Sequence, residues 1–213
     1  MRFKPFKIVL PIIFLAAFGV VITFMLWENG SPGIIDQPAN VMERVKFNYG
    51  AEVKEFSDEM NLPYEYFMAL IVLECSGNMP SGTRFEPHVF SCLKDVRDGN
   101  RQKYENVKPE IIANASDDAL RNLATSWGPL QLMGYKCIGM KVNVEDIRGD
   151  DAVYHAMSWV NDEYGDLLRK GKYRDAFHMH NTGRKYPLVG KPKTHDPLYV
   201  QKGLQYIAYY DGQ

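Results

Sequence analysis

The chemistry of this chain begins with a glutamate at the end of an apolar run, in Ala69-Leu70-Ile71-Val72-Leu73-Glu74-Cys75-Ser76-Gly77. At helical spacing Phe67, Leu70, Ile71 and Glu74 share one face, three and four residues apart. A carboxyl on an apolar stripe is desolvated, and the negative end of the helix dipole works in the same direction. Both effects favour its protonated form. A carboxylic acid still carrying its proton near neutrality can protonate a leaving oxygen, such as that of a glycosidic bond. The alternative is a glutamate that frays out of the last turn into solvent.

Fifty residues on, Ser126-Trp127-Gly128-Pro129-Leu130-Gln131-Leu132-Met133-Gly134 offers a different set of groups. Ser126, Trp127 and Gly128 read as a tight turn where backbone can approach a sugar. Gln131 presents an amide that both donates to and accepts from N-acetyl and hydroxyl groups. Trp127 has a ring face suited to sugar C–H surfaces. The same residues also fit an ordinary turn and a surface glutamine. A third segment, Ala176-Phe177-His178-Met179-His180-Asn181-Thr182-Gly183, follows at a similar distance.

An apolar helix ending in Glu74, then a Ser-x-Gly-x-x-Gln-x-Met-Gly segment, then an Asn-x-Gly turn resembles the lysozyme-like fold of goose-type lysozymes and lytic transglycosylases. The resemblance covers about residues 50–210. It implies cleavage of peptidoglycan glycan strands, with Glu74 catalytic and Ser126, Trp127, Gly128, Gln131, His180 and Asn181 binding substrate. One position departs from the family pattern: His180 stands where a tyrosine is usual. Arg84-Phe85-Glu86-Pro87-His88 is in turn similar to a segment of bacterial and phage N-acetylmuramidases, and makes Glu86 the candidate second carboxylate. Arg84 and Glu86 pairing to pin a loop is the structural alternative.

Two chemistries fit such a glutamate. A lytic transglycosylase uses Glu74 alone, first as acid and then as base, leaving 1,6-anhydro-muramic ends. A hydrolytic muramidase needs a partner carboxylate, for which Glu86, Asp95 and Asp98 are available. A catalytically silent, membrane-tethered glycan-binding scaffold is the third class. No cofactor is expected. His178 and His180 are two apart, wrong for one helix face, and no Cys/His spacing suggests zinc.

The elements that must hold these groups are mainly helical. Periodicity predicts a helix from about 39 to 60, interrupted near Asn48-Tyr49-Gly50, and a second opened by Pro63 and ending at Glu74 or Cys75. Gly77 lies where a left-handed terminating residue is often needed. Further helices are expected over 88–96, over 119–124 behind a Ser116 cap, and from Pro129 to about Tyr135. The longest runs from 150 or 151 to Arg169, with Val153, Met157, Val160, Tyr164 and Leu167 on one stripe. Helices over 173–180 and 197–210 complete the set, and residues 81–87 read as loop. A minor hairpin is allowed for without a position.

The ends place this domain in the cell. Residues 8–27 carry no charged side chain, and twenty helical residues span roughly 30 Å, the thickness of a bilayer's hydrocarbon. Arg2, Lys4 and Lys7 precede the run, which keeps the N-terminus cytoplasmic. A cleaved signal peptide is the rival, but no Ala-x-Ala pattern follows Trp27. The expected organisation is a cytoplasmic tail (1–7), a transmembrane anchor (8–27), a linker (28–38) and a lysozyme-like domain (39–213) outside the inner membrane, in the periplasm. The strongly apolar anchor argues against a releasable endolysin anchor, which tends to be rich in small residues. Beyond the basic tail 22 basic residues face 26 acidic ones, about −4, with no basic patch that would suggest nucleic acid. Partners are then the glycan strands, the membrane and proteins of the cell-wall machinery. Cys75, Cys92 and Cys137 allow at most one internal disulfide.

Overall fold

The computed structural model describes residues 37–211, so the expected tail, anchor and most of the linker lie outside the described residues. Within them, no helix is long and apolar enough to cross a membrane. A twenty-residue helix, α1 (Val41–Met60), comes first. The Asn40 side chain caps it, accepting from the backbone N–H groups of Met42 at 2.8 Å and Glu43 at 3.3 Å. The interruption expected at Asn48-Tyr49-Gly50 does not occur. Val45, Tyr49 and Val53 are buried along one stripe, and that tertiary packing outweighs the weak helix propensity of Asn and Gly.

Helix α2 (Tyr64–Cys75) is the centre of the molecule. Tyr66 to Ile71 are completely buried, as an element apolar on all sides must be. It packs chiefly against α1 and the last helix, α10 (Tyr199–Tyr210). Ser76 and Gly77 both adopt left-handed conformations at its end. The exposed carbonyls there find donors on α1: Arg44 Nε and Nη2 reach Ser76 O at 3.0 and 2.9 Å, and Asn48 Nδ2 reaches Gly77 O at 2.8 Å. These bonds hold the end that carries Glu74.

A three-stranded antiparallel sheet covers one side of that end: β1 (Arg84–Phe85), β2 (Thr125–Trp127) and β3 (Leu132–Met133), with Arg84 opposite Ser126 and Ser126 opposite Met133. Its strands correct two expectations. Residues 81–87 contain β1, too short to leave a pattern, and 129–135, where a helix was expected, contain the hairpin turn and its second strand, β3. Gly128 and Gln131 in the connecting turn have φ of +70° and +50°, which no helix accepts.

Around this core lie α3 (Pro87–Arg97), α4 (Pro109–Ile112), α5 (Asp117–Leu123), α6 (Lys136–Met140), α7 (Val144–Arg148), α8 (Ala152–Arg169) and α9 (Tyr173–Thr182). Ser116 caps α5 through the N–H of Ala119 at 3.1 Å, as expected. All five apolar positions expected on one stripe of α8 are buried, and the helix kinks at Tyr164 (φ −151°, ψ 18°). Cys75, Cys92 and Cys137 are buried and free.

Candidate active site

Glu74 is the penultimate residue of α2, its side chain 17% exposed just beyond the fully buried middle of the helix. Its Oε1 accepts a hydrogen bond from Tyr199, the first residue of α10. Burial first, and then the charge of Glu74, push the Tyr199 hydroxyl far above its ordinary range, so it serves here only as a donor.

His180, from the last turn of α9, brings Nε2 to 3.8 Å from the same Oε1. The surroundings define its state. Nε2 lies 3.2 Å from the carbonyl of Leu130, which can only accept, so Nε2 carries the proton. Nδ1 then accepts from the Tyr164 hydroxyl at 2.7 Å, and Tyr66 donates to Tyr164 at 3.4 Å. Burial lowers the His180 pKa against the opposing pull of Glu74, so the imidazole is neutral near pH 7 and the approach to Glu74 is not an ion pair. The α8 kink at Tyr164 falls on the residue that delivers this hydrogen bond.

These groups open on a cleft of about 360 Å³ lined by Leu73, Glu74, Arg84, Ser126, Gln131, Met133, His180, Asn181, His195, Asp196 and Tyr199. A second depression of about 500 Å³ shares Gln131, Met133, His180 and Asn181 with it and extends to Trp159 and Glu163. Together they form a trough suited to an extended ligand.

Among the residues singled out in the sequence, Glu74, Ser126, Gln131, His180 and Asn181 meet at this cleft. Ser126 and Gln131 are engaged with each other and with the chain. Ser126 donates to Gln131 Oε1 at 2.7 Å, and Gln131 Nε2 donates to the carbonyls of Gly128 at 3.0 Å and Gly82 at 3.3 Å. They brace the hairpin against the loop ahead of β1. Asn181 is exposed.

The structure does not bring Trp127, Gly128 or Glu86 to the cleft lining. Side chains alternate along a strand, so with Ser126 facing the cleft Trp127 points away. Its ring N–H donates to Asn122 O at 2.9 Å and Arg148 lies over its face. A Cβ on Gly128 would stand 3.2 Å from that of Ala152, so this glycine permits a turn and a close approach to α8. Glu86 precedes α3 and pairs with Arg84 at 2.6 Å, the structural alternative noted for that segment. Asp98 pairs with Arg97 at 2.8 Å.

The carboxyl that does line the cleft beside Glu74 is Asp196. Lys202 Nζ at 2.7 Å and the N–H of Leu198 at 2.8 Å hold it below the usual carboxylate range. Neither Asp196 nor Tyr199 carried a local signal. Tyr199 lies 125 residues from its partner, and only the packing of α10 on α2 joins them.

No known family model matches the sequence, and no curated protein is detectably similar to it. Among solved structures the chain is similar to the crystal structure of a Burkholderia AP3 phage endolysin, with a TM-score of 0.53 and 17% sequence identity over 91% of this chain and 95% of that one. At that identity the likeness is one of fold: the described residues form a mainly helical domain whose fold is similar to that of the endolysin.

Proposed function

We propose that this protein cleaves the glycan strands of peptidoglycan as a lytic transglycosylase, with Glu74 as its single acid and base. The observation that carries the reading is Glu74 itself, held by Tyr199 in a cleft whose other carboxyl, Asp196, is occupied by Lys202. The fold shared with a phage endolysin supports a wall-degrading activity. In the first step the Glu74 proton passes to the glycosidic oxygen as the bond from muramic C1 to that oxygen breaks. In the second, Glu74 takes the proton of the muramic C6 hydroxyl, whose oxygen bonds to C1 and closes the 1,6-anhydro ring. The proton count of the enzyme is unchanged and no water is consumed. In this reading residues 8–27 tether the domain to the inner membrane, on its outer side.

A hydrolytic muramidase is the second reading, favoured by Asp196 lining the same cleft as Glu74. Incubating the full-length protein with purified peptidoglycan and weighing the products by mass spectrometry separates them. Anhydro-muramic ends support the transglycosylase. Reducing ends that vanish with Asp196→Asn support the hydrolase, and binding without product supports a scaffold. A Glu74→Gln variant is expected to lose at least about a hundredfold in product release, as loss of a general acid does. Release at the unmodified rate would remove Glu74 from the chemistry.

A further inference from the structure

The connection from α9 to α10, residues 183–198, has a charge pattern that the chemistry at Glu74 does not use. Arg184, Lys185, Lys191 and Lys193 fall within it, and Asp196 is its one acidic residue. A buried histidine brings two of the basic residues together. His178 is 2% exposed. Its Nδ1 lies 2.7 Å from the carbonyl of Arg184, which can only accept, so Nδ1 carries the proton; its Nε2 accepts from the N–H of Lys193 at 3.2 Å. The N–H of His195 reaches Asn181 Oδ1 at 3.4 Å and ties the segment to the end of α9.

The result is a recess of about 460 Å³ lined by His178, Asn181, Thr182, Arg184, Lys193 and His195. Among the described residues no carboxyl lines it. Asp196 is already taken by Lys202, and neither Arg184 nor Lys193 forms an ion pair among the described residues. The buried imidazole fixes the backbone at both positions, and the two cations on it have no ion-pair partner, which leaves the recess open to an anion. Asn181 and His195 line both this recess and the Glu74 cleft, so a polymer lying in the cleft passes the recess.

We propose that this recess binds the carboxylates of the peptide branches on the glycan, so that peptide-bearing strands are the preferred substrate. The inference rests on the peptidoglycan reading. In that polymer the muramic acid beside the cleaved bond carries a lactyl-linked peptide with free carboxylates, whereas the sugar hydroxyls and N-acetyl groups are neutral. A guanidinium takes such a carboxylate through two parallel hydrogen bonds, and an ammonium adds a point charge.

The test compares full-length protein on peptide-bearing glycan strands and on strands stripped of peptide by an amidase. The ratio of kcat/KM between them is expected to exceed about tenfold and to fall toward one in an Arg184→Ala/Lys193→Ala double variant, through KM. The charge-keeping Arg184→Lys/Lys193→Arg variant is expected to retain most of the preference. Equal rates on both strands, or a ratio unchanged in the double variant, would overturn the proposal. A calorimetric titration separates its failure from failure of the proposed activity. The Glu74→Gln protein should bind a peptide-bearing disaccharide at least about tenfold more tightly than the bare disaccharide, and lose that margin when Arg184 and Lys193 are also replaced. If nothing is cut but the margin is present, the activity is wrong and the recess stands. No margin overturns the recess. So does loss of binding to anionic vesicles in the double variant with the peptide preference intact, which would assign the basic segment, with its exposed Leu188 and Val189, to a lipid surface.

Discussion

Tyr199 donates to Glu74 Oε1, and His180 stands 3.8 Å from the same oxygen with its second nitrogen tied to Tyr164. The carboxyl is therefore held by one donor, beside an imidazole whose proton is turned to the Leu130 carbonyl. Tyr199→Phe keeps the ring and removes only that donor. It is expected to lower kcat about tenfold, the size of one well-formed hydrogen bond, with a small change in melting temperature. Steady-state rates and thermal unfolding together check this. His180 gives a pH prediction whose sign follows from its depressed pKa. Above the ordinary histidine value of 6.5 both folded and unfolded forms are neutral and its contribution to stability is present in full. As pH falls through that value, the unfolded chain takes up a proton that the folded one refuses, so stability is lost toward the lowered folded pKa. Melting temperatures measured from pH 8 to 5 should drop less steeply in His180→Gln than in the unmodified protein. Parallel curves would show that His180 does not titrate in this way.

At the scale of elements, the position of Glu74 depends on where three helices end or begin. The end of α2 is capped from α1, the end of α9 supplies His180, and the start of α10 supplies Tyr199. The register of α10 is set at Gly203, where an added Cβ would come within 2.7 Å of the Phe177 ring of α9. Gly203→Ala should force ring and helix apart, costing about 1–3 kcal/mol, the usual penalty for overpacking a core. Denaturant unfolding measures that cost, and an unchanged midpoint would mean that the ring turns aside freely. The strands show why some elements were illegible in the sequence. β1 and β3 are two residues long, below any alternation that a pattern could reveal, and Pro129-Leu130-Gln131-Leu132-Met133 has the composition of a helix. Only the turn at Gly128–Gln131 and the pairing of Leu132 and Met133 with β2 decide otherwise.

The described residues enclose a hydrophobic core that contains Cys75 and Cys137, and Cys92 is buried outside it; all three are free thiols. Burial raises the Cys75 and Cys137 thiols to about 11, so few of either are thiolate at neutral pH. Alkylation by iodoacetamide at pH 7.5 should be slow at both in the native protein and fast after unfolding, and reductant should leave the protein's mass unchanged. Rapid native labelling of Cys75 or Cys137 would mean that the core opens readily there. Helices α2, α8 and α9 were legible because each buries a face whose period the sequence displays, and Glu74 because it interrupts such a face at its end. Ser126 and Gln131 were legible as a spacing, but not as partners of each other. Trp127 looked like a sugar platform because the sequence does not say which side of a strand it occupies. Tyr199 and Asp196 were not legible, since each owes its place to contacts between segments distant along the chain. By itself, then, the sequence determined the helical class, the candidate acid and the order of the segments around it, all of which are local or periodic properties. Only the tertiary structure decided which groups touch that acid, which carboxyl shares its cleft and which cations stand beside it, because those are distances across a packed core.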